Sequence, residues 1–258
     1  MNILVTNDDG YHSNGIITLA QIMSSYGKVT VVAPLRGQSG KASSLTINRN
    51  LDILKMPPIK NTDGSEIDVY AVNGTPADCV KMACCVIYKS GNPDIIAAGI
   101  NHGSNSSASA IYSGTLGAVK EGALRHIHSI AFSSAFDDPE ADLSAVREYS
   151  GKIMKNFLSD PPQEGIYLNI NFPPLPSEDI KGIKIAKQGS GRFLDEFHEE
   201  INTKGEKSYY LQGRFEDMEN DPMGDHKLLR EGYISIVPHQ LDTTCYHELE
   251  RLKKDWKL

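Results

Sequence analysis

Within its first 33 residues the chain passes from an apolar, β-branched run, Ile3-Leu4-Val5-Thr6, through Asn7-Asp8-Asp9-Gly10 into a helical pattern. It then enters a second apolar run, Val29-Thr30-Val31-Val32-Ala33. The helical pattern is carried by Ile16, Leu19, Ala20 and Met23, which share one face by the i, i+3, i+4, i+7 spacing. Strand, helix and strand at this spacing form a βαβ unit, and its two strands must lie parallel. Gly27 is placed to end the helix and Pro34 to end the second strand. An open parallel sheet follows, and such sheets bind ligands at the carboxyl ends of their strands.

The rest of the chain repeats this texture. Residues 45–54 and 67–73 read as extended, with a Pro57-Pro58 loop between them. Thr75-Pro76-Ala77-Asp78 reads as an N-cap, a first-turn proline and a capping-box acid, opening a helix that buries Val80, Ala83, Cys84 and Ile87. Residues 93–99 form a buried strand, and residues 100–115 a long loop of small polar residues. A helix through Leu116, Val119 and Ala123 comes next, then a strand at 128–134. The acidic stretch 137–142 leads into a helix carrying Leu143, Val146, Ile153, Met154 and Phe157, where it complements the helix dipole. Residues 166–172 and 231–238 read as strands, and 243–258 as an amphipathic terminal helix. From residue 187 to 227 the chain is polar and glycine-rich, with a candidate strand at 208–212. That stretch builds no core of its own and reads as an extended hairpin or arm for oligomer contacts. The expected division is a core at 1–186 and a C-terminal part at 187–258 comprising arm, returning strand and terminal helix.

Three stretches carry candidate chemistry. Asp8 and Asp9 sit where the first strand hands over to a helix. Two adjacent carboxylates repel unless a cation compensates them, and hard divalent cations prefer carboxylate and water oxygens. The same Asn-Asp-Asp-Gly composition also suits a solvated turn, and the turn alone leaves both readings open. Residues 35–44 form a Gly/Ser loop at the same rim, where Ser39 is placed to reach a metal or a phosphate. Position 35 is Leu, so Gly40-Lys41 is no Walker loop. Ser113-Gly114-Thr115 opens a helix, and the free N–H groups and dipole of a helix start suit an anion. N-capping by Ser113 is compatible with that role.

Composition narrows the field. The chain has 258 residues, a formal net charge of −7 and no large basic block, which disfavours a nucleic-acid polymer as partner. Cys79, Cys84, Cys85 and Cys245 match no zinc spacing and suit buried thiols of a reducing compartment. A strand beginning at residue 2 leaves no room for a signal peptide, and no apolar run approaches the ~20 residues needed to span a bilayer. A cytoplasmic protein without membrane partners is expected.

Four ordered stretches together resemble the SurE (survival protein E) family of metal-dependent 5′-nucleotidases. They are Asn7-Asp8-Asp9-Gly10 with Gly15, Gln38-Ser39-Gly40 before Ser43, the run Gly99 through Asn105, and Tyr112-Ser113-Gly114-Thr115. Residues 73–78 and 232–238 also resemble it. The resemblance implies a Rossmann-like α/β core, a mostly parallel sheet flanked by helices, with a C-terminal hairpin arm and terminal helix. It implies one divalent ion per subunit, magnesium or manganese, held by Asp8, Asp9, Ser39 and Asn101. It further implies hydrolysis of nucleoside 5′-monophosphates and a homodimer or homotetramer. On the residues themselves, Asp8 and Asp9 would be catalytic, and Ser113, Gly114 and Thr115 would bind phosphate, with Asn105 adding a hydrogen bond. Val237-Pro238, where the family usually has Thr-Pro, and residues 192–207 depart from the family pattern. The alternative function is a non-enzymatic receiver-like or nucleotide-binding signalling domain. A receiver carries a carboxylate at the end of a middle strand, where Gly99 and Asn101 stand here.

Overall fold

A computed structural model of the chain describes every residue except Thr62, Ser90, Asp137, Gln212, Glu219, Asn220 and Leu258. In chain order, β1 (Asn2–Thr6), α1 (Asn14–Ser24) and β2 (Lys28–Pro34) form the expected opening unit. There follow β3 (Ile53–Lys60), β4 (Glu66–Val72), α2 (Pro76–Met82), a π-helical turn at Ala83–Ile87, β5 (Ile95–His102), α3 (Ser109–Tyr112) and α4 (Gly114–Leu124). Next are β6 (His128–Ser134), α5 (Ser144–Ser159), β7 (Ile166–Phe172), β8 (Ile183–Ile185), β9 (Arg192–Leu194), β10 (Phe197–Ile201), β11 (Lys207–Leu211) and β12 (Arg214–Glu216). The chain closes with α6 (Asp225–Arg230), β13 (Ile234–Gln240) and α7 (Tyr246–Asp255).

Nine strands make one sheet in the order β3-β4-β2-β1-β5-β6-β7-β13-β8. The run from β4 to β7 is parallel, and β3 and β13 are antiparallel to their neighbours β4 and β7. From β1 the chain first winds one way, through β2 to β4, and then crosses to β5 on the other side of β1. The carboxyl ends of β1 and β5 therefore flank a topological switch point, the usual ligand crevice of such a sheet. One apolar layer packs α1 and α5 on the sheet through Ile16, Leu19, Met23, Val146, Ile153 and Phe157. The other packs α2, the π-helical turn that continues it and α4 through Val80, Cys84, Leu116 and Val119. Burying each such large side chain contributes roughly 1.5–3 kcal/mol. Gly15 lets α1 lie close on β5, since a Cβ there would stand 2.0 Å from the Ile100 carbonyl oxygen.

Several elements differ from expectation for physical reasons. Pro57 and Pro58 lie inside β3, not in a loop; β3 is an edge strand whose register with β4 shifts between Met56 and Ile59, where missing N–H groups are tolerated. Residues 100–102 continue β5, because Asn101 and His102 pair with Ser133 and Ser134 of β6, and α3 takes up part of the remaining loop. Ser25 caps α1, while Gly27 packs against the Met1 backbone. No acidic residue lies in the first turn of α5; Asp142 instead accepts the Ser144 N–H at 2.8 Å. The capping box at Thr75 and Asp78 forms as expected, and Asp78 also accepts the Thr46 N–H. The candidate strand at 208–212 is β11 at 207–211, with Gln212 outside the described residues, as are Asp137 of the acidic stretch and Leu258 of the terminal helix. The hairpin β10–β11 is exposed along its whole length, and no residue of α7 is buried.

Candidate active site

The turn after β1 is stitched by Asn7, itself fully buried. Its amide nitrogen donates to the Gly10 carbonyl at 3.0 Å and to Ser13 Oγ at 2.8 Å, and its amide oxygen accepts the Gly10 N–H. The next two side chains are thereby aimed into the crevice. Asp8 is buried, and Thr115 Oγ1, in the first turn of α4, donates to its Oδ1 at 2.5 Å. α4 comes this near because residue 114 is glycine: a Cβ there would stand 2.8 Å from Asp8 Cβ. Burial pushes the Asp8 carboxyl up to about 6, against the pull of Thr115 and with the added push of Asp9.

Asp9 shares this poverty of solvent. Burial raises its pKa, opposed by His102, whose Nε2 stands 3.9 Å from Asp9 Oδ1. Its Oδ2 is buried with no hydrogen-bond partner among the described residues. A buried carboxylate oxygen left bare beside a second carboxylate is the donor set a divalent cation completes. Asn101, at the end of β5, gives its amide nitrogen to the carbonyls of His102 and Gly103, both at 2.8 Å. Those bonds leave its amide oxygen as the end that can face a cation. Ser39 is exposed, next to Gln38, whose N–H donates to the Asp8 carbonyl at 2.6 Å. The loop bearing Ser39 is thus tied directly to the aspartate turn. Among the described residues no group of three or more His, Cys, Asp or Glu side chains could hold a metal. The oxygen set of two carboxylates, a hydroxyl and an amide suits a hard cation rather than zinc.

Ser113 caps α4, its Oγ accepting the Leu116 N–H at 3.1 Å. Thr115 turns its hydroxyl to Asp8, so what it offers a phosphate is backbone only. Asn105 is locked in a buried amide network. Its N–H donates to Asn171 Oδ1 at 2.7 Å, its Nδ2 to Ser133 Oγ at 2.8 Å, and its carbonyl accepts from Asn169 Nδ2 at 2.8 Å. Sequence reasoning missed this network, although two asparagines on one face of an otherwise apolar strand, 166–172, are a visible anomaly. It also missed Asp225, fully buried at the start of α6. Asp225 accepts from the N–H and hydroxyl of Ser107 and from the Gly189 N–H, and so pins the loop after β5 to the base of the arm.

The site and the fold have counterparts among known proteins. The family model described as "Survival protein SurE" matches residues 3–195. A "5′-nucleotidase SurE" of Cytophaga hutchinsonii is 40% identical over 255 residues, covering 99% of this chain and 96% of that one. Its counterpart in Thermosipho africanus is 36% identical over 262 residues, covering 100% and 98%. The crystal structure of the SurE protein from Aquifex aeolicus superposes with a TM-score of 0.83 at 34% identity over 98% of each chain.

Proposed function

The chain belongs to the survival protein SurE family, and from that premise we propose how its own residues carry the family's chemistry. It is a metal-dependent phosphomonoesterase that hydrolyses nucleoside 5′-monophosphates to nucleoside and phosphate. Asp8, Asp9, Ser39 and the amide oxygen of Asn101 hold one divalent ion per subunit, magnesium or manganese. The observation that carries this assignment is the bare, buried Oδ2 of Asp9 beside Asp8 at the switch point. When bound, such an ion supplies charge neutralisation on phosphoryl oxygens.

The protein's own groups do the rest. Thr115 holds the Asp8 carboxylate in one orientation, so that Asp8 meets the phosphorus or the attacking water without rearranging. As general base, Asp8 takes one proton from the water whose oxygen bonds to phosphorus while the P–O bond to the nucleoside breaks, and that proton passes to the departing 5′-oxygen. As nucleophile, its carboxylate oxygen bonds to phosphorus as the same P–O bond breaks and the 5′-oxygen takes a proton from water. A second water then cleaves the acyl phosphate to return the carboxylate. The start of α4, at Ser113, Gly114 and Thr115, directs backbone dipole at the charge that develops on phosphate oxygens. To Asn105, fixed by Ser133, Asn169 and Asn171, the same reading gives one added hydrogen bond to the phosphate.

Two further parts belong to the same reading. The segment 187–227 is an arm that joins copies into a homodimer or homotetramer, apart from the catalytic core at 1–186, and the returning strand and terminal helix complete 187–258. Support comes from Phe197, Ile201, Tyr209, Tyr210 and Leu211, all more than half exposed on the hairpin. The enzyme works in the cytoplasm, a placement supported by four free cysteines; among the described residues no helix is long and apolar enough to cross a membrane. The deciding experiment is a phosphate-release screen across nucleoside monophosphates, with and without magnesium or manganese. Metal-dependent release supports the assignment; no release from any of them would favour a nucleotide-binding module.

A further inference from the structure

The chemistry at phosphorus uses one half of the crevice and leaves a second cavity unexplained. That cavity, about 560 Å³, is walled in part by Gly103, Ser104, Phe193, Phe215, His226 and Arg230. Its size falls within the roughly 300–1,000 Å³ of small-molecule sites. It adjoins the end of β5, because Gly103, one of its walls, is the residue whose carbonyl accepts from Asn101. The far wall is aromatic and comes from the base of the arm. Phe193 and Phe215 meet edge to face with centroids 5.3 Å apart, and Phe215 leans on His226 at 4.2 Å. His226 is oriented by the loop after β5, its Nδ1 standing 3.4 Å from Ser106 Oγ. Arg230, at the end of α6, brings a fixed cation with several donors to the wall.

A phosphomonoester has a phosphate end and an alcohol end, and only the first is accounted for by Asp8, Asp9 and the start of α4. A wall of aromatic rings with guanidinium and imidazole at its margin matches an alcohol that is flat, stackable and edged with acceptors. We propose that this cavity receives the nucleoside of the substrate, its base stacked on Phe215 with Phe193 against its edge, and its polar edge toward Arg230 and His226. The proposal rests on the nucleotidase reading above. The arm then does two things: it carries the exposed hairpin, and its base, at β9 and β12, builds the base-binding wall.

The test uses the full-length enzyme with magnesium, and two substrates that share the phosphate end: AMP and ribose 5-phosphate, which lacks a base. Phe215→Ala should raise KM for AMP by between about 5- and 150-fold, the range for losing one base–aromatic stack. Ribose 5-phosphate kinetics should not change, and Phe215→Tyr should restore AMP. Equal effects on both substrates would overturn the proposal. Should Phe215→Ala not fold, Phe193→Ala carries the same comparison, its ring being 43% exposed. Calorimetric titration with adenosine, which has no phosphate, reads the cavity without catalysis. Binding weakened by Phe193→Ala supports the subsite, and no binding by the wild type at millimolar adenosine overturns it. If wild-type enzyme hydrolyses neither phosphate ester, the nucleotidase reading falls, and the adenosine titration still decides the cavity.

Discussion

The hydroxyl of Thr115 donates to Oδ1 of Asp8 across 2.5 Å, joining the first turn of α4 to the turn after β1 over 107 positions of sequence. Thr115→Val removes that donor while keeping the shape of the side chain. Loss of an outer hydrogen bond to a metal-binding or catalytic carboxylate lowers activity by about 10- to 100-fold, and the same fall is expected here in phosphate release. Thr115→Pro deletes the hydroxyl and the N–H together, so a further drop of ~10²-fold beyond Thr115→Val would measure the backbone donor. Two variants equal in rate would remove that N–H from phosphate binding.

Asp9 has one buried carboxylate oxygen with no partner among the described residues, so its substitution should act through the cation rather than the fold. Asp9→Asn is expected to lower turnover by ~10³-fold or more, the several kcal/mol a Lewis acid supplies. A second readout is thermal. At 100 times its Kd, magnesium or manganese should stabilise the wild type by about 2.7 kcal/mol, and Asp9→Asn should lose most of that shift. Full turnover in excess chelator, with no metal found by elemental analysis, would sink the metal assignment.

What could be read from sequence was local. The aspartate turn, the Thr75–Asp78 capping box and the Ser113 cap each lie within four residues, and each forms as read. What could not be read depends on partners far away in the chain. Residues 100–102 look like a polar loop, and only their pairing with β6 makes them strand and sets Asn101 at the switch point. Two prolines in β3 are acceptable only because that strand lies at an edge, which strand order alone reveals. The clasp of Thr115 on Asp8 and the Asn105–Asn171 bond have no local signature, since each joins residues more than 60 positions apart.

The hairpin β10–β11 is expected to be dispensable for folding and required for assembly. All its residues are exposed, so replacing 197–211 by a short turn removes no core contact. Light scattering should then show a smaller particle, while urea unfolding of the core stays within about 1 kcal/mol of the parent, as for exposed positions generally. Unchanged mass would refute the arm's role in assembly.

His239 gives the fold a pH dependence of defined sign. Its ring stacks on Tyr167 with centroids 5.3 Å apart and an interplanar angle of 9°, and Asn169 Nδ2 lies 3.4 Å from its Nε2. The Asn169 amide is already oriented, its oxygen accepting from Asn171 and its nitrogen donating to Asn105, so Nε2 must act as acceptor and the imidazole must be neutral. Burial lowers its pKa, the charge of Lys120 lowers it further, and Asp225 opposes them weakly. In the unfolded chain the same imidazole takes up a proton near pH 6.5. Between that value and the lower folded one the unfolded state binds more protons, so stability is complete above pH 6.5 and falls as pH drops through this window. Each unit of depression is about 1.4 kcal/mol. His226, lowered chiefly by its own burial, contributes in the same direction. His239→Gln keeps a neutral acceptor for Asn169 and removes the titration. Urea unfolding of both proteins at pH 7.5 and pH 5.5 should therefore show the variant losing less stability than the wild type on acidification. An equal loss in the two proteins would mean that His239 keeps its ordinary proton affinity in the folded state.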